Sequence, residues 1–342
     1  METRIEWKTE NGKRKTENGK RKTENNSTNK QINNSTMKKF YLTAFAVILG
    51  VTMFAQEGDG WTTKGNIGLN FAQGTYTNWA AGGQNSLSWQ GLFNYSANYV
   101  KGNFKWDNTL NTALGYSFFD FKKKPIKTDD KIEFTSLAGL KATEQLYYSL
   151  ELAFRSQFAY GFNYDVDSTQ YSSKFLAPGY LSLGLGLEWK PNEHFSVNFA
   201  PLTGRLTIVN DEYLASIGAF GVNQLDANDT ILHSYNKVRF EFGTRLTAKM
   251  KYTLFKNVDY ESKLELFSNY LYHPERVDAD WQNLLVMKVN SWLNCNLSTH
   301  LIYDYDIPFH DVNPVTGEVT LDPNSKVQFK EVLSIGLLFN LK

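Results

Sequence analysis

The chain has 342 residues, of which 15% are aromatic (24 Phe, 19 Tyr and 8 Trp), and its mean hydropathy is negative. The net charge is +1, and it becomes about −5 without residues 1–55, which hold 11 of the 36 Lys and Arg and 5 of the 35 Asp and Glu. This balance excludes a basic surface for nucleic acid, and the single cysteine, Cys295, excludes an internal disulfide. Many aromatic residues outside any long apolar run are typical of a membrane β-barrel.

Residues 1–36 contain an exact repeat, Asn11–Glu17 and Asn18–Glu24, and almost no apolar side chains. Such a segment cannot bury enough surface to offset its ordering entropy, so we predict disorder. A basic arm for nucleic acid is one interpretation. A start codon assigned too far upstream, with translation beginning at Met37, is the interpretation we favour.

Residues 37–55 have the order of a secretory signal peptide: two lysines, an apolar stretch from Phe40 to Phe54, and Ala55 as a cleavage residue. We therefore predict cleavage near Ala55 and a mature domain of residues 56–342. A segment this short, with these flanks, does not predict a spanning helix.

The hairpin Asn85–Ser117 has the clearest pattern at the start of the mature chain. Its first arm places apolar residues at alternate positions from Leu87 to Tyr99, and after a turn at Lys101–Asn103 the pattern resumes from Phe104. A period of two predicts strands with one apolar and one polar face, and each arm exceeds the roughly 9–11 residues that a tilted membrane strand needs.

The same pattern recurs to the end of the chain and predicts twelve strands. Besides the two arms of the hairpin they are Trp61–Gln73, Lys131–Thr143, Leu146–Ala159, Tyr180–Lys190, Phe195–Phe199 continuing past Pro201, Val238–Tyr252, Val258–Tyr270, Trp281–Ser291, Cys295–Tyr305 and Val327–Leu341. Short and long connections alternate between them. An even strand number with this alternation predicts an all-β, antiparallel, up-and-down transmembrane barrel with short periplasmic turns and long extracellular loops. A soluble β-sandwich is the alternative.

The polar faces of these strands carry charges of both signs, which we expect to line the lumen. The predicted lumen charges are Arg155, Glu151, Glu188, Arg239, Glu241, Arg245 and Lys249. They could pair and fill the lumen or line a water-filled path. Twelve strands lie between the sizes at which barrels are filled and open, so strand number leaves both interpretations standing.

Catalytic and metal motifs are weak. His300 is the only histidine inside a predicted strand, and its same-face neighbours at two-residue spacing are too distant for a nucleophile–base hydrogen bond. We interpret it as a hydrogen-bonded lumen residue. The acidic loop Asp165–Ser168 lacks the glycine and the closing glutamate of a calcium loop. We predict no cofactor, no metal and no enzymatic activity.

Several loop and strand-end segments resemble those of a family of uncharacterised Bacteroidota outer-membrane proteins, domain of unknown function 3078. The segments are Trp61–Phe71, Asn78–Ser86, Lys127–Lys131, Phe175–Tyr180, Pro201–Gly204, Ile208–Asp211, Gly218–Val222, Leu266–Tyr270 and Gln328–Val332. The resemblance extends from Trp61 to Lys342. It implies an outer-membrane barrel of a Gram-negative bacterium and implies no activity.

These segments suggest a group of residues at the outer mouth that contacts a solute or plugs the lumen. Its candidates are Trp79, Asn85, Asp129, Asp130, Asn210 and Asp211. Gly82 and Gly83 beside Trp79 are equally explained by a tight turn.

Three functions follow from this sequence. The first is a passive or weakly selective, porin-like channel for small solutes. The second is a closed structural barrel whose loops bind a surface partner or lipid. The third, an outer-membrane hydrolase, has the least support. Outer-membrane lipid is the expected surrounding, and the sequence predicts no oligomeric state.

Overall fold

The computed structural model describes residues 60–75, 85–119, 124–163, 167–222, 236–305, 309–312, 319–322 and 326–341. The predicted repeat tract (1–36), the signal peptide (37–55), Trp79 and Asp165 lie outside these residues.

Twelve antiparallel strands form a closed up-and-down barrel, as predicted. Each strand pairs with its neighbours in sequence order, and the first and last strands pair with each other to close it. The barrel strands are β1 (Trp61–Gly74), β2 (Ser86–Lys101), β3 (Phe104–Phe119), β4 (Ile126–Lys141), β5 (Leu146–Ser156), β8 (Gly179–Trp189), β9 (Phe195–Ile208), β10 (Val238–Phe255), β11 (Val258–Asn269), β12 (Val277–Lys288), β13 (Leu293–Tyr303) and β16 (Gln328–Leu341). Closure leaves no unpaired sheet edge.

The connections alternate in length, which gives the barrel two unlike ends. At the short-turn end, strands are joined by 102–103, 142–145, 190–194, 256–257 and 289–292. In the tightest of these turns Gly102 has φ +57° and Asn257 has φ +68°, values that suit a glycine and an asparagine. At the long-loop end the strands are joined by the longer segments.

The outward face is apolar and the inward face is polar. Outward leucines such as Leu183, Leu202 and Leu333 expose between 52% and 65% of their surface. Inward residues such as Thr203 and Glu241 expose 0% and 1%. Because side chains alternate along each strand, apolar residues lie outside and polar residues inside, which is the reverse of the arrangement in a soluble protein.

A β-bulge in β9 explains how a proline fits into a closed barrel. Thr203 pairs with Gly243 and Ala200 with Arg245, so Pro201 has no partner on β10. Because proline lacks an N–H group, a bulge is where it costs no ladder hydrogen bond. On the other side of β9, a Cβ on Gly186 would lie 2.0 Å from the carbonyl oxygen of Phe199. Only glycine fits there.

Several strand boundaries differ from the prediction. β12 begins at Val277 and ends at Lys288, whereas Trp281–Ser291 was predicted, and β4 begins at Ile126, five residues before Lys131. β5 ends at Ser156 because the chain then turns into the next loop. In β12 and β4 the pairing with the neighbouring strand extends to Val277 and to Ile126, so the ladder sets the boundary.

Two long loops that were predicted without strands contain hairpins. β6 (Gly161–Asn163) pairs with β7 (Asp167–Ser173), and β14 (Phe309–Val312) pairs with β15 (Val319–Asp322).

A third long loop contains the short helix α1 (Glu212–Ser216) and a 3-10 turn at Ala219–Gly221. With the adjoining loop it forms a small apolar core, here called the loop cluster: Ala177, Val209, Leu214, Ala215 and Val222. Within the described ranges, no helix is long and apolar enough to cross a membrane.

Candidate functional site in the barrel lumen

All seven predicted lumen charges lie on inward faces. In an antiparallel ladder, directly paired residues point to the same face, and Arg155 pairs with both Glu133 and Tyr180. Glu151, Glu188, Arg239, Glu241, Arg245 and Lys249 alternate in the same sense along their strands. The seven therefore form part of one continuous polar lining.

Arg155 and Asp280 join opposite walls of the lumen. Arg155 is on β5 and Asp280 on β12, with four strands between them on the shorter path around the barrel. The guanidinium Nη1 is 2.5 Å from the carboxylate Oδ2. Since the contact cannot pass through the wall, it crosses the interior, and we call it the cross-lumen bridge.

Neighbouring side chains hold the cross-lumen bridge in place. Asp280 Oδ1 is 2.9 Å from Nε2 of His300 and accepts a hydrogen bond from Gln282 at 3.0 Å. Gln282 also donates to Glu133 on β4 at 3.4 Å, which adds a second link across the lumen. His300 is thus hydrogen-bonded to a carboxylate in the lumen.

A second group of charges lies nearer the long-loop end. Arg205 donates two hydrogen bonds to Glu241, at 2.8 and 2.7 Å, and a third to Asp278 at 2.8 Å. Arg239 lies 3.3 Å from Glu241. The Arg205 guanidinium also stacks 4.0 Å from the ring of Phe267. Such bidentate, stacked arginines are held in one geometry.

Two further groups lie toward the short-turn end. Arg245 contacts Glu265 at 3.0 Å and Glu151 at 3.3 Å, and thereby ties β10 to β11 and to β5. Closer still to the short-turn end, Lys105 pairs with Glu188. The buried carboxylates are each paired, as their desolvation requires.

Strands β1, β2 and β13 give the lumen a wall of a different character. The contacts here join carboxamides: Asn70 to Gln90 at 2.7 Å, Asn94 to Asn66 at 2.9 Å, Asn294 to Asn296 at 2.9 Å and Asn296 to Asn70 at 3.4 Å. The lumen therefore has one neutral amide wall and one charged wall.

A cavity of about 230 Å³ adjoins the cross-lumen bridge. Its lining includes Arg155, Arg205, Arg245, Lys263 and five carboxylates, Glu133, Glu265, Asp278, Asp280 and Asp304, together with the aromatic rings of Tyr180, Phe267 and Tyr303. Charges of both signs and aromatic faces can hold a small polar or charged solute.

The predicted mouth residues lie in separate contacts. Asp129 faces the lumen, accepts a hydrogen bond from Gln90 at 2.5 Å and lies 3.1 Å from Lys330. Asp130 instead anchors the loop after β5, since it accepts from Lys127 and from the backbone N–H of Phe158 at 2.7 Å. Of these two aspartates, Asp129 is the one that lines the lumen.

Two of the remaining mouth candidates, Asn210 and Asp211, lie next to the loop cluster in the chain. Asp211 caps α1 by accepting from the N–H of Leu214 at 2.9 Å, and it also pairs with Lys174 and accepts from Tyr171 at 3.1 Å. Asn210 is exposed beside it, and Asn85 precedes β2. A contact of these residues with solute stays a prediction.

Sequence reasoning missed several lumen charges, among them Lys105, Arg205, Asp278 and Asp280. The predicted strand began at Trp281, yet Val277, Ala279 and Trp281 already alternate with Asp278, Asp280 and Gln282. That alternation was the available signal. Among the described residues, no group of three or more His, Cys, Asp or Glu side chains could hold a metal ion.

Comparison with known proteins gives a partial family match. The family described as "Protein of unknown function (DUF3078)" matches residues 71–162, a shorter stretch than the predicted resemblance from Trp61 to Lys342. No curated protein sequence matches the chain.

Solved structures with a similar chain path include several barrels. The NanC porin is 10% identical, with a TM-score of 0.36, covering 81% of this chain and 100% of that one. The TodX monoaromatic hydrocarbon channel is 9% identical (TM-score 0.30; 83% and 90% covered). The translocator domain of the autotransporter NalP from Neisseria meningitidis is 9% identical (TM-score 0.27; 90% and 97% covered). At these values the likeness assigns no function to this chain.

Proposed function

We propose that this protein spans the outer membrane of a Gram-negative bacterium, after cleavage of a signal peptide near Ala55, and passes small solutes through a narrow, ion-paired lumen. The inverted distribution of apolar and polar faces supports the membrane location, because a closed barrel with an apolar exterior satisfies every backbone group within lipid. Aromatic pairs near the short-turn end, such as Trp61–Trp106 and Trp189–Phe195, support an interfacial girdle there.

The cross-lumen bridge is the observation that carries the proposal. It narrows a lumen that has a cavity of about 230 Å³ beside it, and it is formed by two side chains and no backbone group. Because side chains form the constriction, the width of the lumen depends on whether these charges are paired. We therefore propose a weakly selective channel of low conductance, with no catalytic role.

Single-channel recording in planar bilayers tests this function. The wild-type protein is expected to give small ohmic steps, and Arg155→Ala is expected to give larger ones because the constriction is removed. Lys251→Ala is the matched control, since Lys251 is a lumen-side cation that pairs with Glu261 near the short-turn end, where its side chain is 68% exposed. Silence from both folded wild type and Arg155→Ala would contradict the channel.

The second candidate is a closed barrel whose outer loops bind a surface partner. One observation favours it: the loop cluster is a packed unit outside the barrel, held by an ion pair and a helix cap. Trimming 210–236 would then abolish partner binding, while the channel proposal expects conductance to survive that deletion. The third candidate, a hydrolase, predicts an activity that is lost in His300→Ala.

A further inference from the structure

Lys249 differs from the other cations of the charged wall. It lies on the inward face of β10, and within the described residues no carboxylate oxygen lies within ion-pair distance of its ammonium group. Its direct partner on β11 is another cation, Lys263, and its partner on β9 is Ser196. Like charges directly opposite each other in a ladder are unfavourable unless something compensates them.

The carboxylates that act on Lys249 electrostatically are already engaged. They are Glu151 and Glu265. Glu151 lies 3.3 Å from Arg245 and accepts from Asn198 at 2.5 Å. Glu265 contacts Arg245 at 3.0 Å and Lys263 at 2.6 Å. One positive charge, that of Lys249, is therefore left without a carboxylate of its own.

A second, independent observation marks the same position. The hydroxyl of Thr247, two residues before Lys249 on the same face of β10, is buried without a hydrogen-bond partner, and Thr247 is 2% exposed. A buried hydroxyl without a partner costs free energy, which a bound acceptor would recover. Thr247 and Lys249 therefore place two donors on the same face of β10, two positions apart.

We propose that Thr247, Lys249, Ser196 and Lys263 form a binding site for a small carboxylate-bearing solute, here called the basic site. The two ammonium groups can only donate and the two hydroxyls can each donate one hydrogen bond, which suits an oxyanion. The single uncompensated charge matches a monoanion better than a dianion. Lys263 also lines the cavity, so the basic site adjoins the cavity on its short-turn side.

The basic site rests on the proposed function, because its ligand must enter the lumen. In a conducting barrel it would be a stopping point for anions after the cavity, and would favour carboxylates over cations. Its test uses a readout that does not need conduction, so that the two proposals can fail separately.

The experiment is protection of Lys249 from reductive methylation, measured by peptide mass spectrometry on the purified, refolded protein. Sodium acetate replaces sodium chloride at constant ionic strength, so screening stays equal. Acetate is expected to slow the methylation of Lys249 severalfold. Lys251, which pairs with Glu261 and has a 68% exposed side chain, is the internal control and is expected to keep its rate.

The Thr247→Val variant distinguishes a binding site from a lysine that is methylated slowly for another reason. The change removes one donor and keeps the shape, so the barrel is expected to fold and the acetate protection to weaken. The matched control is Thr244→Val, because the Thr244 hydroxyl is also buried without a partner but belongs to the outward face of β10. Protection is expected to survive in that variant.

Each outcome decides one proposal. Equal methylation of Lys249 in acetate and chloride would overturn the basic site, even in a conducting protein. Stronger protection by phosphate than by acetate would overturn the assignment to a monoanion. Protection in a folded protein that never conducts would leave the basic site standing and overturn the channel.

Discussion

Arg155 and Asp280 are 125 positions apart in the chain, and their side chains meet inside the barrel with Nη1 2.5 Å from Oδ2. Arg155 is on β5 and Asp280 is on β12, and these two strands are not neighbours in the sheet. Their contact therefore links two walls that backbone hydrogen bonds do not join directly. The bridge therefore contributes to stability and sets the width of the lumen at the same place.

We expect the two residues of the cross-lumen bridge to be energetically coupled. Arg155→Ala and Asp280→Ala should each destabilise the barrel by about 1–3 kcal/mol, because each removes the shortest ion pair of a partly buried charge. The double variant should cost less than their sum, by roughly 0.5–3 kcal/mol. Guanidinium unfolding of the protein in lipid vesicles measures all three.

The control for that cycle is the exposed pair Lys251 and Glu261 near the short-turn end. Exposed ion pairs contribute about 0–1 kcal/mol, so its coupling should be small. If the effects of Arg155→Ala and Asp280→Ala on the free energy of unfolding were strictly additive, this would contradict a bridge in the folded protein.

Charge reversal at Arg239 should shift ion selectivity toward cations. Arg239 lies 3.3 Å from Glu241 near the long-loop end of the lumen, so Arg239→Glu changes the local potential on the solute path. A change of about 1 kcal/mol corresponds to a roughly fivefold change in the permeability ratio. Reversal potentials in a salt gradient measure that ratio.

Lys237→Glu is the matched control, because Lys237 precedes β10 and pairs with the exposed Glu212 outside the lumen. An equal shift in both variants would mean that the surface potential of the loops, rather than the lumen, selects the ion.

Gly186→Ala should destabilise the barrel by about 1–3 kcal/mol, since the added Cβ would lie 2.0 Å from a backbone oxygen that cannot rotate away. Gly91→Ala is the control, because its Cβ would meet nothing closer than 3.8 Å. Its effect should stay within about 0.5 kcal/mol. Equal unfolding midpoints for the two variants would contradict the close approach at the β9 bulge.

The loop cluster should loosen in acid before the barrel does. Burial alone would raise the pKa of Asp211, but the hydrogen bond from Lys174, the N–H of Leu214 and the hydroxyl of Tyr171 together hold that pKa below its ordinary value. A lowered folded-state pKa contributes stability that is fully present above the unfolded value of roughly 3.9 and is lost as the pH falls through the folded one.

Hydrogen exchange of 209–222, corrected for its intrinsic pH dependence, measures this loosening. Asp211→Asn keeps a side chain that caps α1 but removes the titrating group, so its acid step should disappear. Asp211→Ala should lose the cap as well, and weaken the cluster by about 1 kcal/mol or more at neutral pH. An acid step that persists in Asp211→Asn would assign it to another group.

The barrel itself could be predicted from the sequence. All twelve predicted strands are present, because apolar residues at every second position must share one face, and because the turns between paired strands are short at only one end. The same alternation placed the seven predicted charges on the inward side. The strand through Pro201 was also predicted, although its bulge was not.

The side-chain contacts inside the barrel could not be predicted from the sequence. Alternation states which face a side chain occupies, but it carries no information on which distant strand faces it across the lumen. Asp280 meets Arg155 only because closure, strand tilt and register bring β5 and β12 to face each other at that height. Asp129 and Asp130 were separated for a local reason: β4 begins at Ile126, so these consecutive residues face opposite sides, and Asp129 points into the lumen while Asp130 contacts the loop after β5. Side-chain alternation was enough to predict the twelve strands and their two faces. The pairing of charges was not predictable in this way, because it depends on distances between residues that are far apart in the chain and meet only in the folded barrel.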